Sequence, residues 1–357
     1  MWNRTDATYK LKIDYPIIQG PFGGNFSSAK LVSTVSNLGG LGSFGLNSFG
    51  PEEIVEIGES IKKQTLKPFA LNLWVPLKDD PVKNYNNIEF KTLTNSFKLY
   101  FDELKIPVPS IPKPKSHDFS EQVEAVLKVR PPVVSFIFGC PPKEVIAELK
   151  KVGTVIIATT TTLEEAQLIE GEGIDLIVAS GMEAGGHRAS FLKTADAVLT
   201  NTNDLVSQLV KHIKTPVIAA GGISNGKRMV ELLKLGASAV QVGTAFLATN
   251  ESNATPEHKK RLLHNKFETT LTKVYTGRLA RVIKNRLTND FKNSNKIKFA
   301  PYPIQSAFLS SLRKAAIEQN KWDYVAFWSG QPSSILKHDS AKELFDSMVN
   351  EASLNLK

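Results

Sequence analysis

His187 stands behind two glycines in the octet GMEAGGHR, Gly181 to Arg188, which follows the apolar run Leu176–Ala179. An imidazole is the side chain best poised near neutral pH to act as acid, base or hydrogen-bond donor. Glycine permits positive φ and close backbone approach. Gly185-Gly186 therefore suggests a loop pressed against a flat or phosphorylated molecule, with a strand-to-helix turn carrying an exposed histidine as the alternative. Two further stretches could bind an anion. AAGGISNGK places Gly221, Gly222 and Ser224 before a helical pattern, and QVGTAF places Gln241, Val242, Gly243 and Thr244 before another. Backbone N–H groups and the helix dipole attract phosphate at such starts, which favours a phosphate site over plain turns. No G-x-G-x-x-G sits between a first strand and its helix and there is no P-loop lysine motif, so a mononucleotide is the simpler ligand.

Other candidates are weaker. Glu183 could be a second acid or base, but a role in orienting the octet suits it better. Tyr302, between two prolines, either reaches a substrate or packs. Cys140 ends a strand yet has no recognisable base partner, so it reads as a small buried residue. His117, His212, His258, His264 and His338 lack a comparable setting and are expected at the surface. The single cysteine excludes an intramolecular disulfide and a multi-cysteine metal site, and no metal is expected.

Positioning these groups requires a frame. Short apolar runs at Ile17–Gly20, Leu41–Phe44, Phe69–Leu73, Val133–Phe136, Val155–Ala158, Leu176–Ala179, Val217–Ala220 and Ala239–Val242 alternate with helical patterns. This is the rhythm of a parallel sheet, and eight strands close a (β/α)8 TIM barrel, an α/β fold. In such a barrel, active-site groups lie in loops at the carboxyl ends of the strands, with phosphate usually on loops seven and eight. Pro21, Gly45, Asn72, His187, Gly221-Gly222 and Gly243-Thr244 all fall there. An insertion at 77–117 carries Pro81, Pro107, Pro109, Pro112 and Pro114 and a possible helix Thr94–Leu104; it reads as a lid or binding element, with a decorative loop as the alternative. Beyond Thr249 the pattern changes to helices and irregular connections, so 250–319 is expected to be a mostly helical, substrate-side lid domain. Residues 1–249 and 320–357 form the barrel domain, with Trp328–Gln331 returning to it before a last helix around Lys342–Val349.

Composition sets the class. The 357 residues are 41% hydrophobic and 22% charged, as in soluble globular proteins. No apolar run approaches the ~20 residues of a membrane helix, and the first residues lack the apolar core of a secretory signal. Together with the lone cysteine this points to the cytoplasm. The net charge of +9 is dispersed. Its densest runs, His258–Arg261 and Arg278–Arg286, read as solvated helix faces, so neither nucleic acid nor a membrane is an expected partner.

Five blocks in order, IIQGPFGG, ALNLWVP, GMEAGGHR, PVIAAGGISNG and VQVGTAFL, resemble those of the FMN-dependent nitronate monooxygenases, formerly called 2-nitropropane dioxygenases, over about residues 15 to 331. The resemblance implies FMN across the barrel mouth. Pro21, Phe22 and Asn72 would approach its ring, Gly185, Gly221 and Gly222 would line it, Gln241, Val242, Gly243 and Thr244 would receive the phosphate, and Gln331 would close the site. His187 matches the catalytic histidine, as base toward a nitroalkane or as a donor steadying a nitronate. The implied reaction is oxidation of an alkyl nitronate with dioxygen to a carbonyl compound and nitrite, without NADH or metal. Ser180 stands where relatives often carry glutamine, which bears on one flavin contact, and Ala189 where glycine is common. The alternatives are an NAD(P)H-dependent flavin enoyl-acyl-carrier-protein reductase and an FMN-binding protein without turnover. The sequence does not specify oligomeric state.

Overall fold

The computed structural model describes residues 1–76, 85–113, 117–292 and 298–356. Its strands are β1 (Ile17–Gln19), β2 (Gly42–Gly45), β3 (Phe69–Trp74), β4 (Val133–Ile137), β5 (Val155–Thr160), β6 (Leu176–Ser180), β7 (Gly186–His187), β8 (Val217–Ala220), β9 (Ala239–Val242), β10 (Thr269–Thr272) and β11 (Ala280–Ile283). Among the described residues, eight of them pair in parallel in the order β1-β9-β8-β6-β5-β4-β3-β2. The ends meet through a parallel bridge between Ile18 and Leu41, with Gln19 N donating to Leu41 O at 2.9 Å and Leu41 N to Ile17 O at 3.0 Å. The sheet is thus the expected (β/α)8 barrel.

Strand alternation divides the side chains into two sets. Ile18, Ala70, Val133, Ile157, Leu176, Val178, Ile218 and Ala239 fill the interior, where Ala7, Leu11 and Ile13 join them. The last three come from the helix Asp6–Leu11 and the turn after it, which plug the barrel floor and were not foreseen from sequence. Burying one such leucine or isoleucine is worth about 1.5–3 kcal/mol. The outward set, including Leu71, Val134, Ile177, Val240 and Val242, packs under the surrounding helices. Among the described residues, no helix is long and apolar enough to cross a membrane.

The insertion differs in extent from its expectation. Its helix is Asn87–Glu103, about two turns longer at the start than Thr94–Leu104, because Asn86 caps Ile88 N and Glu89 N at 3.0 Å each. The buried stripe Phe90, Leu93, Phe97, Tyr100 and Phe101 begins with that first turn. Pro81 and Pro114 lie outside the described residues.

Two readings of the basic runs fail. Within Arg278–Arg286, the expected solvated helix face is instead the buried strand β11, hydrogen-bonded between β10 and β7. Val282 and Ile283 favour extended backbone, and Arg281 is held by its Nε donating to Met182 O at 2.9 Å and its Nη1 to Thr269 Oγ1 at 3.1 Å. In His258–Arg261 the helix forms, as Pro256–Leu262, but His258 points inward. It is 2% exposed. The last helix runs Ala341–Asn355, longer than expected at its carboxyl end.

Candidate functional site

At the carboxyl ends of the barrel strands lies a cavity of about 520 Å³. Its floor follows from the alternation: the last inward-facing positions, Gly20, Asn72, Ile137, Thr159, Ser180, Ala220 and Gln241, all line it. Pro21, Phe22, Gly185, His187, Gly221, Gly222, Gly243, Thr244 and Gln331 complete the walls with others. Twelve of the thirteen residues singled out in the sequence thus converge, and Val242 does not. The same alternation that turns Gln241 inward turns Val242 outward, where it is fully buried among the helices. Its carbonyl accepts from Gly20 N at 2.9 Å, holding the first loop to the eighth barrel strand.

Neighbouring groups fix the octet. Gly181 N donates to Ala220 O at 2.9 Å, and Glu183 Oε2 accepts from Thr202 N at 2.9 Å and Thr202 Oγ1 at 2.7 Å, so Glu183 orients the loop. Glu183 O accepts from Gln331 N at 2.8 Å. A Cβ on Gly185 would lie 2.4 Å from Gly330 N. The close approach inferred from the paired glycines is therefore first of all to the chain's own Ser329–Gly330 segment, although Gly185 also borders the cavity.

The polar end of the cavity is built differently from expectation. After β8, the helix Gly226–Lys234 has its first turn taken by protein acceptors: Asn225 Oδ1 receives Arg228 N at 2.8 Å and Glu351 Oε2 receives Lys227 N at 3.1 Å. Ser224 Oγ is held by Ser333 Oγ at 2.8 Å and Ser334 Oγ at 3.0 Å. After β9, the helix Thr244–Leu247 is a single turn. What these loops present to the cavity is Gly221-Gly222 in positive-φ conformations, Gly243 with open space where a Cβ would stand, and the Thr244 hydroxyl. That hydroxyl accepts from Gly330 N at 2.8 Å, which leaves its proton for a ligand.

His187 lines the same cavity. β7 pairs it with Ala280 of β11, so the misread basic run is what holds it in place. Its Nε2 lies 2.9 Å from Thr276 Oγ1. Rings surround it, with centroids at 5.5 Å for Trp74, 5.7 Å for Tyr302, 5.7 Å for Trp328 and 6.3 Å for Phe138. Burial, and then the Arg278 guanidinium, push its pKa down to about 3, so it is neutral at pH 7. Tyr302 thus does border the cavity. Cys140 does not: it is half-buried, and burial followed by the charge of Glu172 pushes its thiol up to about 11. Thr276 and Arg278 escaped sequence reasoning, since a turn hydroxyl that meets a residue 89 positions away leaves no local signal. Asn47 escaped as well; it lines the cavity, and its Oδ1 is buried without a partner among the described residues.

The arrangement offers a neutral imidazole among aromatic rings in the same cavity as polar, glycine-lined loops. It can hold a planar molecule with an anionic tail and present a small substrate to a base. Comparison with known proteins gives the family. Residues 4–351 match the model of the nitronate monooxygenase family. A probable nitronate monooxygenase of Staphylococcus haemolyticus is 36% identical, with 98% of each chain covered, and one of Staphylococcus aureus strain Newman is 34% identical over the same shares. Among solved structures, a nitroalkane oxidase from Streptomyces ansochromogenes matches with TM-score 0.88 at 30% identity, covering 98% of each chain. FabK from Thermotoga maritima matches with TM-score 0.74 at 26% identity, covering 99% of this chain and 97% of that one. With its barrel, its cavity and this likeness along nearly the whole chain, the protein is an oxidoreductase belonging to the nitronate monooxygenase family.

Proposed function

We propose that the protein binds FMN in this cavity and oxidises alkyl nitronates with dioxygen, giving a carbonyl compound and nitrite. The observation that carries the reading is that His187 lines the same cavity as Gly221, Gly222, Gly243 and Thr244. The residues fit such a cofactor. Its volume lies within the range of ligand pockets, about 300–1,000 Å³. The Thr244 proton, the open space beside Gly243 and the unpartnered Asn47 Oδ1 are polar features without a complete set of protein partners. In this reading Gly221, Gly222, Gly243 and Thr244 hold the phosphate; Pro21, Phe22, Asn72, Ser180, Gly185 and Gln241 border the ring system, and Gln331 covers it. When bound, FMN supplies the electron transfer between substrate and dioxygen. The chain's own part is to orient the nitro compound and exclude water with Trp74, Tyr302 and Trp328, and to handle its α-proton at His187. Arg313 also lines the cavity and has no ion-pair partner among the described residues, which suits a nitronate bearing a second anionic group, such as propionate 3-nitronate.

The test is an aerobic assay of the purified holoenzyme with propionate 3-nitronate, following oxygen uptake and nitrite. Both are expected without NADH. The likeness to FabK gives the second reading, a nicotinamide-dependent flavin reductase. Anaerobic bleaching of the flavin by NADH in the absence of nitronate would establish that reading and overturn the first.

A further inference from the structure

Thr276 has one hydroxyl proton and two acceptors within reach, Arg278 O and His187 Nε2. Its Oγ1 donates to Arg278 O at 3.1 Å, and no other donor to that carbonyl is found among the described residues. Arg278 N donates back to the same oxygen at 3.4 Å. Giving that proton to Arg278 O, which otherwise lacks a donor among the described residues, makes Thr276 Oγ1 the acceptor at 2.9 Å from His187 Nε2 and puts the imidazole hydrogen on Nε2. The remaining nitrogen, Nδ1, has no hydrogen-bond partner among the described residues and is not sealed from the cavity.

From this geometry we infer that Thr276 is a positioning residue that fixes His187 in the Nε2–H tautomer, leaving the Nδ1 lone pair to take the α-proton of a neutral nitroalkane. The inference rests on reading the cavity as a site for nitro compounds. In the step, the C–H bond of the α-carbon breaks and its electron pair becomes the C=N bond, while an N=O pair moves onto oxygen. The proton arrives on Nδ1. The products are a nitronate and an imidazolium, which attract one another where the neutral ring and neutral nitroalkane stood before. Thr276 Oγ1 accepts from Nε2–H throughout, and its acceptor role stabilises the imidazolium without moving a proton. Thr276 is 6% exposed and lines the cavity beside His187. The turn that carries it is tied by Gly277 N donating to Lys273 O at 2.7 Å. A nitronate that arrives already ionised has no α-proton to give, so it gains nothing from the bare nitrogen.

The test pairs spectroscopy with a substrate split. Nitrogen NMR of the full-length, histidine-labelled protein, with and without flavin at pH 7, is expected to show His187 Nε2 protonated and Nδ1 bare. Thr276→Val is expected to mix the two tautomers, and Thr276→Ser to keep the original one. In the holoenzyme, Thr276→Val should lower kcat/KM for nitroethane by about tenfold or more. It should change kcat/KM for ethylnitronate by less than about threefold. Thr276→Ser should restore the first value. A wild-type spectrum with Nδ1 protonated overturns the inference, as does an equal loss on both substrates in Thr276→Val. Wild-type protein with the expected tautomer that turns over neither compound refutes the nitro-compound reading, while the control of the tautomer by Thr276 is still borne out by the spectra.

Discussion

His187 and His258 sit in two aromatic surroundings on either side of Trp328, and the same physics acts on both. His258 packs against Phe26 and Phe327, with ring centroids at 5.5 and 5.3 Å. Burial pushes its pKa down to about 4; the Trp328 carbonyl works against that shift and Arg261 with it. His187 is lowered further, by burial and Arg278. The difference is in where the hydrogen bonds go. His258 Nε2 donates to Trp328 O at 2.9 Å and does not line the cavity. His187 spends Nε2 on Thr276 and turns the rest of its ring to the cavity. A lowered pKa on a buried histidine therefore does not mark a functional residue; access of the second nitrogen to a cavity does.

That contrast is most directly broken by exchanging what each histidine supplies. His187→Asn is expected to fold and retain FMN but to lose about 10²–10⁴-fold in turnover of a neutral nitroalkane, the range for removing a general acid or base. Flavin content, thermal unfolding and nitrite release measure the three properties. Wild-type turnover in the variant would remove His187 from the chemistry. His258→Phe should do the reverse. It preserves ring packing but leaves the buried Trp328 carbonyl without its donor, which costs about 1–3 kcal/mol. Urea unfolding should show that loss while the holoenzyme keeps most of its nitronate turnover. A variant that is as stable as wild type but inactive would place His258 in the site.

How far each region could be read from sequence follows from the range of its interactions. The eight barrel strands were legible because each is a short, mostly apolar run set off by turn residues and followed by a helical pattern, and each pairs with its successor in the rhythm. The glycine loops were legible for the same local reason. Val242 was misplaced because a motif read as a block ignores the period of two; applied to Ala239–Val242, alternation would have kept Gln241 and released Val242. Strand β11 was hidden by Arg278, Arg281, Lys284 and Arg286, whose spacing of about three residues imitates a helix face. Only its pairing with Thr269–Thr272 and Gly186–His187 reveals the extended chain. His258 was misread for a related reason: its neighbours Lys259, Lys260 and Arg261 are charged, but the ring lies on the inward side of the helix.

The smallest expected effect sharpens the same contrast through pH. A histidine free in the unfolded chain titrates near 6.5. His258 does so only near 4 in the folded protein. Between those values the unfolded chain binds a proton that the native one refuses, so stability rises with pH across the window and is lost as pH falls from 6.5 towards 4. The slope from this one group is about 1.4 kcal/mol per pH unit. Urea unfolding of wild type and His258→Phe at pH 5 and pH 7 isolates it, since both proteins share the remaining titrating groups. The variant should be the less stable of the two at pH 7, and the gap should narrow at pH 5. A gap that stays constant between the two pH values would mean that His258 titrates alike in the folded and unfolded chains, and the lowering of its pKa by burial would then be wrong.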